Sequence, residues 1–342
     1  MRRPTITDLA KASGVSVATV DRVLNGRHRV REETARRVYD AAQSIGYHAV
    51  GLLRQRVFED LSQYRFGIVL QKPNQSFYQA FARELEVAAL AVTSARIDIR
   101  IEFSAASTPT AIIEKLRAVS SRSQAVALVG PDYPALSTVV EELKESGVPV
   151  FSLLSDLASG VRNAYVGLNN RKAGRTAAWM IAKSADKPGK VACFVGSHRF
   201  HGHELREIGF RSYFRENAPE FEVLDTLINL ETAEITHEAT LNLLQKHPDL
   251  VGLYICGGGM EGAISAIREE GLAGKLIAIV SELTPESKAA LADDIVTMVI
   301  GTPLPALCKE LMALMIDAVE RGDAAVPGQS FLPFEIFISE NI

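Results

Sequence analysis

Thr5–Asn25, TITDLAKASGVSVATVDRVLN, carries two helical hydrophobic patterns separated by a glycine. Ile6, Leu9 and Ala10 recur at the spacing of one helix face, Gly14 interrupts, and Val20, Val23 and Leu24 resume the pattern. The segment therefore reads as two short amphipathic helices joined by the tight turn Ser13-Gly14-Val15, a helix-turn-helix. Thr5 with Asp8 forms an N-terminal capping box for the first helix, and Ser16 is placed to cap the second. With the buried stripe already filled, Val17, Ala18, Asp21 and Arg22 fall on the outer face. Small side chains plus one guanidinium suit a helix lying along the floor of a DNA major groove. A third helix, roughly residues 32–45, sets Ala35, Val38, Ala42 and Ile45 on one face and ends at Gly46, which closes the small core.

The charge distribution agrees with that reading. The 342 residues carry a net charge of -4, which looks unpromising for a polyanion binder, yet residues 1–56 hold a balance of +6 and the remainder one of -10. A basic head on an acidic body confines polyanion binding to the head. A solvated basic face would be the preferred reading if the head lacked a docking motif. Hydrophobic content of 47% and charged content of 23% are those of an ordinary globular protein, and the length implies two or three domains. Cys193, Cys256 and Cys308 are scattered and lack CxxC spacing, so neither a disulfide framework nor a zinc site is indicated and a reducing cytoplasm fits. MRRPTITDLAK lacks the apolar core of a signal peptide, and no apolar run reaches membrane-spanning length, so no membrane partner is expected.

After a linker at residues 49–64, short apolar runs alternate with amphipathic segments, the signature of a parallel sheet in an α/β layer. FGIVLQ, IDIRIEF, AVALVG and VPVFSLL read as a first set of strands, with helices over 76–94, 109–120 and 134–146. VACFVG, EVLDTL, LVGLYIC, LIAIV and TMVIG read as a second set, with helices near 172–184, 203–216, 234–246, 259–270 and 285–292. Two open sheets imply two lobes, and ligands of such sheets bind beyond the carboxyl ends of the strands. The cleft between the lobes is the expected site.

The string A-x-x-x-G-V-S-x-x-T-V-x-R-V-L-N, followed by V-x-E-E-T and A-x-x-x-G-Y, resembles the head of the lactose-repressor and galactose-repressor (LacI/GalR) family of bacterial regulators over about 45 residues. The resemblance implies that Val17, Ala18 and Arg22 face base edges, that Thr5, Ser16, Thr19 and Asn25 lie near phosphates, and that Tyr47 lies near the DNA backbone. Two positions depart from the family: Asp21 stands where Ser is usual, and Arg31 where a Ser usually opens the third helix. An acid beside phosphates costs affinity unless Arg22 or Arg27 pairs with it. In the family the linker folds into a hinge helix with a leucine wedged into the minor groove. Alignment from Gly46-Tyr47 puts Arg56 at that position, with Leu52 and Leu53 as alternatives.

The body resembles the type I periplasmic binding fold that the family shares with ribose-binding proteins. The resulting fold class is a small all-α helix-turn-helix head plus an α/β body of two doubly wound parallel-sheet lobes. The expected domains are residues 1–48 for the head and 65–342 for effector binding and dimerisation. Within the body, lobe 1 takes 65–168 and 301–327, and lobe 2 takes 169–300 and 328–342. Connections cross the cleft near Leu168, Gly301 and residues 325–330 and bend to close it.

For the pocket, the resemblance of N-Q-S-F-Y to the family's N-x-x-F-F implies Asn74, Phe77 and Tyr78, a polar group with aromatic faces for a sugar ring. Ordinary helix-start packing is the competing reading of these residues. Ser155 and Asp156 fall near the family's Asp-Arg position, without its arginine. Arg206 matches a pocket arginine able to donate to vicinal hydroxyls or a carboxylate, and Glu282 takes the place of a usual Asp. Gly257 and Gly301 replace two usual amides. His198, His201 and His203 share one loop, but without nearby cysteines or paired carboxylates they read as rim or solvated histidines, and neither a metal nor a cofactor is expected.

One rival has local support. Gly257, Gly259 and Gly262 form G-x-G-x-x-G after a strand, with Glu282 following the next strand, as in a nucleotide-dependent oxidoreductase. No nucleophile, base and orienter accompany them, so no enzyme is expected. A transport solute-binding protein is the other alternative, and it has no use for the head. The expected partners are double-stranded operator DNA, a sugar, polyol or sugar-acid effector, and a second copy in a homodimer, within the cytoplasm beside the nucleoid. No heptad extension follows, so a coiled-coil tetramer is not expected.

Overall fold

Among the described residues, four helices make the head: α1 (Ile6–Ser13), α2 (Val17–Asn25), α3 (Glu32–Ser44) and α4 (Val50–Val57). The computed structural model describes residues 3–25, 30–57, 62–322 and 328–342. α1 begins where the Thr5 hydroxyl accepts from the Asp8 N–H and the Asp8 carboxylate accepts from the Thr5 N–H, and it ends at Gly14, whose φ of 64° only glycine adopts at little cost. α2 opens on the Ser16 hydroxyl, which accepts from the Thr19 N–H at 3.1 Å. Leu9, Val20, Val38 and Ala42 meet in a core free of solvent. Leu53 of α4 is also fully buried there, so this leucine holds the linker helix to the head and is not free to act as a wedge; Leu52 is 46% exposed. The side chain of Arg56 lies outside the described residues, as does Arg27.

The chain divides into two compact units, Met1–Tyr64 with Val92–Ile97, and Arg65–Ala91 with Asp98–Ile342. The second unit holds two sheets. In chain order the first lobe is built from β1 (Gln63–Gln71), α5 (Ser76–Ala91), β2 (Arg96–Ser104), α6 (Pro109–Ser120), β3 (Ala125–Leu128), α7 (Pro134–Glu145), β4 (Val150–Leu153) and β5 (Ala164–Leu168). The second follows with α8 (Asn170–Ser184), β6 (Lys190–Val195), α9 (His201–Asn217), β7 (Glu222–Val223), β8 (Leu227–Ile228), α10 (Ala233–Lys246), β9 (Leu250–Ile255), α11 (Met260–Glu269), β10 (Ile277–Ser281), α12 (Pro285–Ala292) and β11 (Met298–Gly301). The chain then returns through α13 (Leu304–Arg321), which packs on α5, β3 and β5, and ends in β12 (Gly328–Leu332) and β13 (Glu335–Phe337). Strand order is β12-β5-β4-β3-β1-β2 in one sheet and β13-β11-β10-β9-β6-β7 in the other. Apart from β13, which runs antiparallel to β11, the pairings within the second sheet are parallel. Central strands such as AVAL and MVIG are buried throughout, as parallel strands covered by helices on both faces must be.

Three expectations change. EVLDTL is not one strand: β7 and β8 each pair with β6, and the break between them is held by Arg211, which donates to the Leu224 carbonyl and the Thr226 hydroxyl. Residues 328–342 do not all belong to the second lobe. β12 pairs with β5 from Gly328↔Ala164 to Leu332↔Leu168, and only β13 joins the second sheet. Pro333, which has no N–H for a ladder, separates the two, so the third crossing lies there and not at 325–330. Of that span, residues 325–327 lie outside the described residues. β5 and α13 were not anticipated at all, although α13 buries Leu307, Cys308, Leu311, Met312 and Met315 along one stripe.

Candidate functional site

The head presents its site on α2. Val17 is 42% exposed, and Ala18, Asp21, Arg22 and Asn25 are exposed beside it, while Val20 and Val23 face the core. Asp21 has a partner other than the arginines considered from sequence: the Asn25 amide donates to its Oδ1 at 2.8 Å, one helical turn on. Thr5 and Ser16 are engaged as caps, with the Ser16 and Thr19 hydroxyls 2.9 Å apart. Tyr47 sits in the core of the head, 7% exposed with its ring 4.5 Å from that of His48, and not on the surface where a backbone contact would place it.

In the second unit a cavity opens between the two sheets. Phe77 and Tyr78 from the start of α5, Ser155 after β4, Arg206 from α9, Gly257 after β9 and Glu282 after β10 all line it. Asn74, Asp156 and Gly301 do not. Asn74 and Gly301 line a neighbouring open groove, and a Cβ at residue 301 would come within 2.8 Å of the Phe337 ring. The polar side chain from the β1–α5 turn is instead Gln75, one residue further along. Asp156 is consumed by Arg162, which bonds both of its oxygens at 2.6 Å in a pair that is almost wholly buried, while the Ser152 hydroxyl donates to Oδ1. Arg162 also donates to the Gly328 carbonyl and Gln329 to Asp156, so this pair ties the strand β12 into the first sheet. Burial pushes the Asp156 carboxyl up, but the Arg162 and Ser152 hydrogen bonds outweigh it and leave it below the usual range.

Arg206 is set by helix packing. At Gly174 of α8 a Cβ would lie 1.9 Å from the Arg206 carbonyl, and at Gly209 of α9 a Cβ would lie 2.2 Å from the Arg171 carbonyl, so only glycines let these two helices touch. The guanidinium, 6% exposed, donates from Nε to Asn170 at 2.7 Å and from Nη1 to the Cys256 carbonyl and the Ser281 hydroxyl at 2.5 and 3.0 Å. Glu282 takes a backbone φ of 71° and accepts from the Thr302 N–H at 2.8 Å and from its hydroxyl at 2.7 Å. Burial raises this carboxyl, with Arg206 pulling it back. Tyr78, buried between the Glu231 and Glu282 charges, holds its phenol proton well above the ordinary range.

Sequence reasoning missed the wall opposite. Glu231 follows the two-residue strand β8 and lines the cavity with His203 and Asn170. Lys72 Nζ, from the other lobe, lies 3.2 Å from Glu231 Oε2 and 3.0 Å from the Leu230 and Glu231 carbonyls, and Gln75 donates to the same Glu231 carbonyl. His203, expected at a rim, is buried: its Nδ1 accepts from the Gly196 N–H, and its Nε2 lies 3.6 Å from Glu231 Oε1. Burial drops its imidazole to about 4, so it is neutral at pH 7. His198 and His201 point outward to Glu207 and Glu204. Lys72, Leu154, Leu230, Glu231 and Glu282 all have positive φ, a strain of ~1–3 kcal/mol each that is concentrated at the strand ends facing the cleft. A further bridge joins the lobes, where the Asp132 N–H donates to the Arg199 carbonyl at 2.7 Å and the Arg199 guanidinium lies over the Tyr133 ring.

The same geometry bears on the glycine-rich rival. A Cβ at Gly257 would strike His203 Nε2 at 2.4 Å, and one at Gly262 would strike the Ala233 carbonyl at 1.9 Å. The Gly258 N–H, one of the donors a pyrophosphate would need, is directed at Glu231 Oε1, 3.3 Å away. These glycines serve close packing around a carboxylate that repels phosphate.

Comparison with known proteins follows the same division. Residues 5–49 match the family described as bacterial regulatory proteins, lacI family, and residues 66–324 match a periplasmic binding protein domain. An uncharacterised HTH-type transcriptional regulator of Streptomyces limosus is 30% identical over 79% of this chain and 75% of its own length. The HTH-type transcriptional regulator GalS of Salmonella typhimurium is 23% identical over 79% of this chain and 76% of its own. Among solved structures, a glucose-galactose binding protein of Geobacillus stearothermophilus superimposes with a TM-score of 0.74 at 18% identity, over 82% of this chain and 99% of that one. A solute-binding protein of Agrobacterium vitis bound to α-D-tagatopyranose gives 0.74 at 18% identity over 81% and 95%.

Proposed function

We propose, for a chain that belongs to the lacI family of bacterial regulatory proteins, that the cleft binds a small polyhydroxylated effector and that its closure resets the affinity of the head for operator DNA. The regulator is a repressor of sugar-responsive type, as the sucrose operon repressor of Streptococcus mutans, 25% identical over 63% of this chain, suggests by its name. Glu282 carries the reading: one carboxylate both lines the cavity and clasps Thr302, the residue at which the chain crosses between lobes. A ligand hydroxyl on Glu282 therefore acts on a hinge directly. The aromatic faces of Phe77 and Tyr78 suit the apolar side of a sugar ring, with Arg206 and Ser155 supplying polar contacts.

On DNA, Val17, Ala18 and Arg22 read base edges while Thr5, Ser16, Thr19 and Asn25 lie along phosphates. One head reads few base pairs, so the working form is a homodimer on a near-palindromic operator, acting in the cytoplasm at the nucleoid. The domain division that serves this role is a head over 1–48, a linker over 49–64 whose Leu53 completes the head's core, and the two-lobed sensor beyond. By linkage, an effector that weakens DNA binding must itself bind the DNA complex more weakly.

Operator selection from random duplexes, followed by fluorescence anisotropy with a sugar and polyol panel, tests the proposal. The expected result is a specific duplex whose affinity changes at least tenfold with one panel member. Selection that enriches no sequence, or an operator affinity indifferent to every cleft ligand, would overturn it.

A further inference from the structure

We infer that the cleft selects an uncharged polyhydroxylated effector and rejects the carboxylate counterpart of the same sugar. This narrows the effector class and rests on reading the cavity as the effector site. Lys72 reaches the cleft from the first lobe, and an ammonium has three N–H groups. Two of them are given to the Leu230 and Glu231 carbonyls at 3.0 Å, and the nitrogen lies 3.2 Å from Glu231 Oε2 as an ion pair without hydrogen-bond geometry. Its charge is matched by that carboxylate, which leaves little attraction for a second one.

Arg206 is the other cation. A carboxylate binds a guanidinium best through two parallel bonds along one edge, either Nε with Nη2 or the two terminal nitrogens. Nε is taken by Asn170, and Nη1 is taken twice, by the Cys256 carbonyl and the Ser281 hydroxyl. Each edge has lost one corner, which leaves Nη2 alone to meet a ligand. Two N–H groups on one nitrogen can still serve two separate hydroxyl oxygens.

The acceptors point the same way. Glu231, Glu261 and Glu282 line the cavity together, against the single uncommitted nitrogen of Arg206. Glu282 accepts one bond on each oxygen from Thr302, which leaves further lone pairs on both for hydroxyl donors. Burial raises the Glu261 and Glu282 carboxyls already, and a ligand carboxylate would add a further like charge. Hydroxyl groups satisfy this wall, whereas a carboxylate confronts it.

Matched pairs test the inference by calorimetry on the full chain: D-glucose with D-glucuronate, D-galactose with D-galacturonate, and D-ribose with D-ribonate. The expected result is that at least one neutral member binds, and at least tenfold more tightly than its acid. Glu282→Gln removes one repelling charge, and Glu231→Gln frees the Lys72 ammonium; either should narrow the ratio at least threefold by strengthening the acid. Ligand-free melting curves show whether each variant folds, and one folded variant is enough. An acid that binds as tightly as its neutral partner, or a ratio unmoved in a folded variant, overturns the inference and leaves the effector site standing. A cleft that binds no polyhydroxylated compound in the wider panel overturns both.

Discussion

Glu282 receives two hydrogen bonds from Thr302, 2.8 Å from the backbone N–H and 2.7 Å from the hydroxyl, and so joins a cavity wall to a hinge. Thr302→Val keeps the shape and the backbone bond but removes the hydroxyl bond. The expected loss is ~1 kcal/mol of stability, with effector affinity changed less than threefold. The effector-induced change in operator affinity should fall by severalfold more than that. Anisotropy titrations with and without effector measure both, and an undiminished response would separate Thr302 from signalling.

The Asp156–Arg162 pair should behave as a structural clamp. Asp156→Ala strands a buried guanidinium and should cost ~3–5 kcal/mol, read as a lowered melting temperature, with ligand affinity per folded molecule retained. Its carboxyl is lowered on folding, so its contribution is present above the unfolded pKa near 3.8 and is lost as pH falls through the folded value. Loss of ligand affinity in a variant that remains folded would return Asp156 to the binding site.

His203 imposes a pH dependence of its own. Its imidazole falls from 6.5 to about 4 on folding, so between those values the unfolded chain binds more protons than the native one. Stability should therefore be complete above pH 6.5 and decline as the pH is lowered toward 4. The full effect is of the order of 3 kcal/mol, from ~1.4 kcal/mol per pKa unit. His203→Gln should flatten this part of the denaturation profile. An unaltered slope would contradict the assignment.

On the head, Asp21 and Asn25 occupy each other on the exposed face of α2. Asp21→Ser removes a negative charge from the face of α2 proposed to meet DNA and frees the Asn25 amide. Binding to any duplex should strengthen about threefold to tenfold, since the cost of an acid beside phosphates is electrostatic. Discrimination between specific and random DNA should change less. Arg22→Ala should do the opposite, losing ~1–3 kcal/mol of discrimination. The two variants compared across a salt series distinguish charge from base reading.

Legibility followed sequence separation. The head was readable because its determinants are local: Thr5 caps Asp8 three residues on, and Gly14 ends the helix it follows. Fully buried strands such as AVAL announce themselves as apolar runs, whereas β12 and β13, half-exposed at sheet edges, carry no such run. α13 has a clear helical stripe, but it follows the last of the apolar strand runs and so belongs to no strand–helix alternation that the sequence shows. Of the cleft, Phe77, Tyr78, Ser155, Arg206, Gly257 and Glu282 were found. Lys72 and Glu231 were not, being 159 positions apart and paired only across two lobes. Asp156 was misassigned because its partner, six residues away, follows no helix or strand period.

The last strand of each sheet lies within residues 328–337, on either side of Pro333. On a ribosome the order of emergence then matters. The head has every residue of its core once Leu53 is out, while neither lobe has its final edge strand until almost three hundred further residues have been made. A nascent chain thus carries a head with its core complete well before a complete sensor. Shortening the chain by this one stretch would leave both sheets unfinished together and the reader without its control.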